Sequence, residues 1–166
     1  METLDKTFEF DCPVRAAYNQ WTQFEDFPRW MGSVKEVRQM GDTRLHWLVR
    51  IAGKEKEFDT EIIDQIPDER IAWRNVSGVP NQGEVRFEKI AENRTRVRLG
   101  MQYEPETFVE KAADSLGIVS TYVESAVQKM KKALEERGRE TGAWRGEVHH
   151  GQQTGAGWRT RTGRIQ

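Results

Sequence analysis

Cysteine is nearly absent from this chain of 166 residues, which contains only Cys12. A single thiol excludes an internal disulfide framework and a zinc site built from several cysteines. No apolar run approaches the roughly 18 residues that a membrane-spanning helix needs. The N-terminal residues METLDKTFEF lack the basic and apolar regions of a secretory signal. We therefore expect a soluble, cytoplasmic protein.

The chain also has no excess of charge of either sign: 26 Lys and Arg residues nearly balance 27 Asp and Glu residues. This balance argues against a dedicated nucleic-acid-binding protein, and we expect no specific nucleic acid partner. Residues 139–166 nevertheless contain five arginines, two acidic residues and 6 of the 14 glycines. Because they offer little aliphatic surface to bury, we expect a flexible basic tail after a domain that spans residues 1–138.

Apolar and charged residues alternate through most of residues 2–104, which is the period of a β-strand. A first strand should contain Leu4, Phe8 and Phe10. Two short helices should follow, one after Pro13 and one that begins at Pro28 and ends at Gly32. Turn-forming residues then separate six further predicted strands, at 33–40, 43–52, 55–65, 70–77, 82–90 and 94–104.

The apolar spacing changes to three and four residues between Pro105 and Gly138, which predicts one helix of about 30 residues. Strands with one apolar and one charged face form an antiparallel sheet that is dry on one side only. The sequence therefore predicts an α+β fold in which a curved seven-stranded antiparallel sheet wraps around the long C-terminal helix. The two short helices after the first strand should cover one open end.

Large aromatic residues dominate the predicted inner face of this sheet, whereas the long helix opposes them with small side chains. Such an arrangement can leave an apolar ligand cavity, the alternative being that the rings simply fill the core. The predicted ligand-binding residues are Trp30, Trp47, Phe58, Trp73, Asn75, Phe87, Met101, Tyr103, Val119, Tyr122 and Val123. The predicted cavity mouth consists of Phe24, Phe27 and Met31. Asn75, Tyr103 and Tyr122 are candidate polar groups for orienting a carbonyl, or else ordinary core hydrogen-bonding residues.

Two segments carry a resemblance to a known family. They are CPVRAAYNQWTQFEDFPRWMGSVKEVRQ at 12–39 and DTRLHWLVRIAGKEKEFDTEIIDQIPDERIAWRNVSG at 42–78. The chain resembles the helix-grip superfamily, also called SRPBCC or START-like, and within it the polyketide cyclase/dehydrase and coenzyme-Q-binding branch. This resemblance implies a helix-grip fold and a cavity for a hydrophobic ligand, but not one activity. The chain lacks the glycine-rich loop of the plant allergen branch, which argues against plant-type ligands.

No catalytic set is evident in the sequence. His46 lies on the charged face of its strand, where a surface role is expected, with a general base as the alternative. Asp59 and Glu61 share that outer face, and we expect them to form ion pairs across the strands with residues such as Arg74 and Arg86. No spacing of ligands marks a metal site, so we expect neither a metal nor a cofactor.

Three functions remain open from the sequence. The first is binding or carriage of a hydrophobic small molecule such as a quinone, a lipid or an aromatic polyketide. The second is catalysis as a polyketide aromatase/cyclase or dehydratase, in which the cavity would fold a reactive chain. The third is an interaction protein that uses the aromatic mouth or the basic tail in transient contact with a membrane or a protein. The sequence is compatible with a monomer or a homodimer.

Overall fold

The computed structural model describes residues 2–51, 53–104, 112–154 and 159–161. Seven long strands form the main sheet and follow the alternation in the sequence closely. They are β1 (Glu2–Phe10), β2 (Val34–Gln39), β3 (Arg44–Ile51), β4 (Lys54–Ile66), β5 (Arg70–Gly78), β6 (Asn81–Ala91) and β7 (Arg94–Tyr103). Each predicted strand is confirmed to within about two residues at its ends.

The seven strands are antiparallel and lie in the order β1-β7-β6-β5-β4-β3-β2. The register pairs Phe8 with Val97 and Trp47 with Phe58, so apolar side chains meet across strands on one face. Two register shifts interrupt the pairing of β4 with β5, between Asp59 and Thr60 and between Ile62 and Asp64. Bulges of this kind bend a strand and increase its twist, which helps the sheet to curl.

Within the part of the chain that the structure describes, three helices accompany the sheet. Helix α1 (Val14–Trp21) and a 3-10 helix (Phe24–Arg29) follow β1, and helix α2 (Ala112–Arg137) follows β7. The curled sheet with its C-terminal helix confirms the predicted α+β helix-grip architecture. The part of the predicted long helix at 105–111 lies outside the described residues. Among the described residues, no helix combines the length and apolar character needed to cross a membrane.

The predicted start of the second short helix at Pro28 is wrong. The 3-10 helix begins at Phe24, and Pro28 lies near its end. Its turns are closed by the amide of Asp26, which donates to the Gln23 carbonyl, and by the amide of Trp30, which donates to the Phe27 carbonyl. Neither bond needs an N–H from Pro28, so the proline is tolerated inside the element.

The segment after α2 differs from its prediction. It contains the short strands β8 (Gly142–Trp144), β9 (Glu147–His149), β10 (Gln152–Thr154) and β11 (Arg159–Arg161). Strand β9 pairs with β4 where Val148 lies opposite Gln65, and β8 pairs with β11. Trp144 is 2% exposed and Val148 is fully buried.

The prediction of a flexible tail from residue 139 onward is therefore wrong for residues 141–149. The low average content of apolar residues in the tail concealed two, Trp144 and Val148, that find a complementary surface on the domain. Residues 155–158 and 162–166 of the predicted tail lie outside the described residues.

Candidate functional site

A cavity of about 170 Å³ lies between the concave face of the sheet and helix α2. Its wall is built from inward-facing residues of β2 to β7, from α1, the 3-10 helix and the segment that leads into β2, and from one face of α2. The lining residues are Trp21, Phe24, Phe27, Met31, Ser33, Val34, Leu45, Trp47, Val49, Ile51, Phe58, Thr60, Ile62, Ile71, Trp73, Asn81, Val85, Leu99, Met101, Val119, Tyr122, Val123, Ala126 and Val127. The lining contains no Asp, Glu, His, Lys or Arg side chain among the described residues.

The structure brings most of the predicted site residues together around this cavity. Of the predicted ligand-binding and mouth residues, those on its wall are Phe24, Phe27, Met31, Trp47, Phe58, Trp73, Met101, Val119, Tyr122 and Val123. They meet because strand alternation and helical spacing each direct one face of their element inward. Their role in binding a ligand remains a prediction.

Three predicted aromatic residues lie away from the cavity wall. Phe87 packs edge-to-face against Tyr18, with ring centroids 5.3 Å apart, so it fills the core beneath α1. Trp30 is buried beyond the end of the 3-10 helix, where the Arg29 guanidinium lies 5.4 Å from the centre of its ring. Tyr103 is fully buried at the end of β7 and does not line the cavity.

Asn75 also lies away from the cavity wall, although it shares the inward parity of β5. Its side-chain nitrogen donates hydrogen bonds to the carbonyls of Val79, at 2.8 Å, and Ser77, at 3.2 Å. Asn75 thereby holds the turn between β5 and β6. Local backbone bonding of this kind is a common use of asparagine near turns.

All three predicted mouth residues lie on the cavity wall, where Met31 is partly exposed, and their role as a mouth remains a prediction. Phe24 and Phe27 line the cavity but are buried, because the ring of Phe27 packs on Trp21 and Trp47. The most exposed lining residue is Tyr122, which is 37% exposed on α2. Among the lining residues, solvent therefore reaches Tyr122 most, whereas Phe24 and Phe27 contribute buried rings to the wall.

Flat aromatic surfaces face one another within this wall. Trp47 and Phe58 stack with centroids 5.8 Å apart and an angle of 13° between their planes. Phe27 meets the Trp47 ring at 62° and the Trp21 ring at 89°. Offset-stacked and edge-to-face pairs are favourable arrangements for aromatic rings, so each ring helps to fix its neighbour.

Three polar residues of the cavity wall were missed by the sequence analysis, namely Ser33, Thr60 and Asn81. Thr60 accepts a hydrogen bond at 3.0 Å from the indole nitrogen of Trp47. Asn81 accepts one at 2.8 Å from the indole nitrogen of Trp73. Buried indole N–H groups usually find such an acceptor. The position of Thr60 between Phe58 and Ile62 on the inner parity of β4 was an available signal, whereas Asn81 lies beside a turn where alternation gives no guidance.

The candidate acid–base groups lie outside the cavity. His46 on the outer face of the sheet contacts Asp59, its partner across the strands, at 2.5 Å. Glu61 accepts a hydrogen bond from Arg74 at 2.9 Å, as predicted, but Asp59 pairs with His46 rather than with an arginine. The described residues contain no cluster of three His, Cys, Asp or Glu side chains suited to hold a metal ion.

Cys12 is a buried free thiol, and it is not a nucleophile of this site. Burial, reinforced by the negative charge of Glu135, raises the pKa of the thiol to about 11. At neutral pH the thiol is therefore almost wholly protonated, and the thiolate is the reactive form of cysteine. Cys12 also does not line the cavity.

Comparison with known proteins identifies relatives of this architecture. Residues 11–135 match the family described as polyketide cyclase / dehydrase and lipid transport. An uncharacterized 17.2 kDa protein of Streptomyces lincolnensis, from the melC2-rnhH intergenic region, is 45% identical over 149 residues, which is 89% of this chain and 99% of that protein.

Solved structures share the fold at low identity. The Zhui aromatase/cyclase of a Streptomyces species superposes with a TM-score of 0.67 at 14% identity, over 83% of this chain and 96% of that one. A START superfamily protein of Mycobacterium smegmatis gives a TM-score of 0.61 at 18% identity, over 81% and 95%. With three quarters of its length matched by one family model, the chain belongs to the polyketide cyclase/dehydrase and lipid transport family.

Proposed function

We propose that this protein binds a hydrophobic small molecule in the cavity between the sheet and helix α2. The observation that carries the proposal is the lining itself, which is apolar except for a few polar residues such as Ser33, Thr60, Asn81 and Tyr122. Ligand sites are typically apolar concavities with a small number of polar groups. The family description, which includes lipid transport, supports the same reading.

The size of the cavity favours a ligand that inserts one ring. At about 170 Å³, it is close to an apolar cavity of about 150 Å³ that holds benzene, and it is smaller than the roughly 300–1,000 Å³ of sites that enclose a whole drug-sized molecule. The ring of a quinone or of an aromatic polyketide, or part of a lipid, fits this space. The remainder of such a ligand would pass Tyr122, which solvent reaches most among the lining residues.

Tyr122 is the best placed group for orienting the ligand. It is the most exposed lining residue, so its hydroxyl can meet a ligand carbonyl where the ligand leaves the apolar interior. Thr60 and Asn81 already accept hydrogen bonds from Trp47 and Trp73.

Catalysis as an aromatase/cyclase or dehydratase is the second candidate. The observation in its favour is the structural similarity to the Zhui aromatase/cyclase and to the di-domain aromatase/cyclase BexL. Acid–base catalysis of such a reaction needs a positioned proton donor or acceptor. The described lining offers hydroxyl and amide groups but no carboxylate, imidazole or amine. Binding without chemistry therefore has the stronger support.

An interaction protein that uses the aromatic mouth has less support, because Phe24 and Phe27 are buried and form no exposed patch.

We further propose a cytoplasmic location, since the chain's single cysteine, Cys12, is a buried free thiol. Fractionation of cells that produce the tagged protein tests the location, and gel filtration tests whether it is a monomer or a homodimer.

The direct test of binding is native mass spectrometry on freshly purified protein, followed by organic extraction. A co-purifying hydrophobic molecule that contains a ring or an acyl chain is the expected result. A protein that is empty, and that also fails to bind phenol or 1-naphthol in calorimetry, would overturn the proposal. These two probes present one ring and two fused rings respectively, with the same hydroxyl group.

A matched pair of variants localises the binding. Val123→Phe places a ring in the cavity from α2, whereas Ser125→Phe places the same ring on the exposed side of that helix. We expect Val123→Phe to weaken probe binding at least tenfold while the protein stays folded, because the added side chain occupies free volume. Ser125→Phe should bind the probe normally. Equal affinities in the two variants would place the ligand elsewhere.

A further inference from the structure

The segment that follows α2 makes a dense set of contacts with α1 and the 3-10 helix. We call residues 140–148 the C-terminal brace. The brace begins beyond residue 135, where the match to the family model ends, so the fold of the matched region does not account for it. Its contacts with α1 and the 3-10 helix join residues more than 110 positions apart in the sequence. The brace is therefore a tertiary feature rather than a continuation of helix α2.

Thr141 lies at the centre of these contacts. Its backbone N–H donates to the side-chain oxygen of Gln20 at 2.9 Å, and its hydroxyl accepts from the Gln20 side-chain nitrogen at 2.9 Å. The same hydroxyl donates to the Asp26 carboxylate at 2.7 Å. All three residues are at most 6% exposed. Buried polar networks whose members are satisfied are stabilising and rigid, and loss of one member leaves the others uncompensated.

Arg145 provides a second attachment. Its guanidinium contacts the Asp68 carboxylate at 2.8 Å and donates to the side-chain oxygen of Asn19 at 2.7 Å. It also lies 5.5 Å from the centre of the Tyr18 ring. Arg145 thus connects α1 to the turn between β4 and β5.

Trp144 and Val148 supply the apolar part of the attachment. Trp144 is 2% exposed, and its amide donates to the Thr22 hydroxyl at 3.2 Å. Val148 is fully buried opposite Gln65 of β4. Burial of an indole and a valine contributes several kcal/mol, which offsets the entropy of ordering a short segment.

The residues held by the brace alternate in sequence with residues that line the cavity. Gln20 and Thr22 flank Trp21, and Asp26 precedes Phe27. Trp21 and Phe27 both lie on the cavity wall. The brace therefore holds, from outside, the same backbone that carries the aromatic wall on its inside.

We propose that the C-terminal brace is a specificity-determining part of the binding site, and that Thr141 is its principal positioning residue. By fixing α1 and the 3-10 helix, the brace holds the rings of Trp21, Phe24 and Phe27 at the spacing that limits the cavity to a single ring. Release of the brace lets this wall move outward and admits larger fused rings. The inference rests on the proposed binding function.

The proposed effect of the brace on the mobility of α1 and the 3-10 helix can be tested without any ligand. Thr141→Val keeps the shape of the side chain but removes the hydroxyl, and with it the bond from the Gln20 side-chain nitrogen and the bond to Asp26. The backbone N–H of residue 141 still donates to Gln20. Backbone hydrogen exchange in residues 18–30 should accelerate roughly tenfold, as expected for the loss of a buried hydrogen bond, while exchange in β6 and β7 stays unchanged. Thr141→Ser, which restores the hydroxyl, should exchange like the original protein. Thr121→Val removes a hydroxyl on the exposed face of α2 and serves as the matched control.

The effect on specificity is tested with phenol and 1-naphthol in calorimetry. Thr141→Val should shift the ratio of the two dissociation constants at least threefold toward 1-naphthol, and Thr141→Ser and Thr121→Val should leave it unchanged. If Thr141→Val fails to fold, Arg145→Met removes the second attachment and should produce the same shift.

The outcomes separate the two proposals. If the original protein binds the probes but the ratio in the folded brace variants is unchanged, the brace inference is wrong while the binding function stands. If backbone hydrogen exchange in residues 18–30 is unchanged in Thr141→Val, the brace inference is likewise wrong. If the original protein purifies empty and also fails to bind either probe, the binding function is overturned, and the selectivity inference falls with it.

Discussion

The indole N–H of Trp73 donates a hydrogen bond to the side-chain oxygen of Asn81 at 2.8 Å, and both residues line the cavity. The bond crosses from the middle of β5 to the first residue of β6. It gives the cavity one fixed ring whose polar edge is already satisfied, so that the ring presents an apolar surface to a ligand. Indoles are well suited to this role because they carry a single donor.

Asn81→Leu should lower the free energy of unfolding by about 1–3 kcal/mol, because it leaves the Trp73 N–H without its acceptor at a largely buried position. Urea unfolding of the purified variant measures this loss. In a Trp73→Phe background the same Asn81→Leu change should cost less, since no indole donor remains. Equal costs in the two backgrounds would mean that the hydrogen bond contributes nothing to stability.

Two neighbouring glycines are predicted to differ in their tolerance of alanine. A Cβ atom at Gly83 would lie 2.2 Å from the carbonyl oxygen of Gly100 and 2.9 Å from the Cα atom of Met101, both backbone atoms of β7. Strands β6 and β7 would have to move apart. Gly83→Ala should therefore destabilise the protein by about 1–3 kcal/mol or more.

Gly100→Ala is the matched control, because a Cβ atom there meets nothing within 4 Å. Its free energy of unfolding should stay within about 0.5 kcal/mol of the original protein. Thermal unfolding of the two variants side by side provides the measurement. A loss at Gly83 no larger than that at Gly100 would contradict the predicted close approach of the strands.

The strands and much of the cavity wall could be predicted because they depend on local periodicity. Phe58 and Ile62 share one parity of β4, and both line the cavity. Val119, Val123 and Val127 recur at helical spacing on α2 and also line it. Where side chains alternate within a regular element, the sequence alone determines which of them point inward.

Predictions failed where a contact joins distant parts of the chain or where a turn interrupts alternation. Asn75 had the right parity but bonds the backbone of a turn instead. Gln20 and Thr141 are both polar, and only their mutual hydrogen bonds across 121 positions explain why they are buried. No periodicity within either segment contains that information, because each is ordered by the other.

Trp144→Ala measures how firmly the C-terminal brace is attached. Because Trp144 is 2% exposed, its truncation should cost about 3–5 kcal/mol of stability, the usual range for a buried tryptophan. Arg139→Ala alters an exposed neighbour and should be nearly neutral. Chemical denaturation followed by circular dichroism distinguishes the two. A negligible loss in Trp144→Ala would restore the expectation of a tail that does not pack on the domain.

Because the Cys12 thiol is buried, we expect the free energy of unfolding to depend on pH in the alkaline range. Burial and nearby negative charge raise the pKa of its thiol from an ordinary value near 9.0 to about 11 in the folded protein. Between these values the unfolded chain has lost the thiol proton while the folded chain retains it. The unfolded state therefore binds fewer protons, and stability falls as the pH rises from about 9 to 11.

Cys12→Ala should remove this contribution, so its free energy of unfolding should fall less steeply over that pH range than that of the original protein. The slopes of the free energy of unfolding against pH must be compared between the two proteins, because burial also raises the pKa of Tyr18. Tyr18 therefore lowers the stability of both proteins at high pH.

Iodoacetamide provides an independent check, since Cys12 is the chain's only thiol. Alkylation at pH 8 should be slow in the folded protein and fast in urea, because only the thiolate reacts. Rapid labelling of the folded protein, or identical slopes, would show that the thiol is not held in its protonated form.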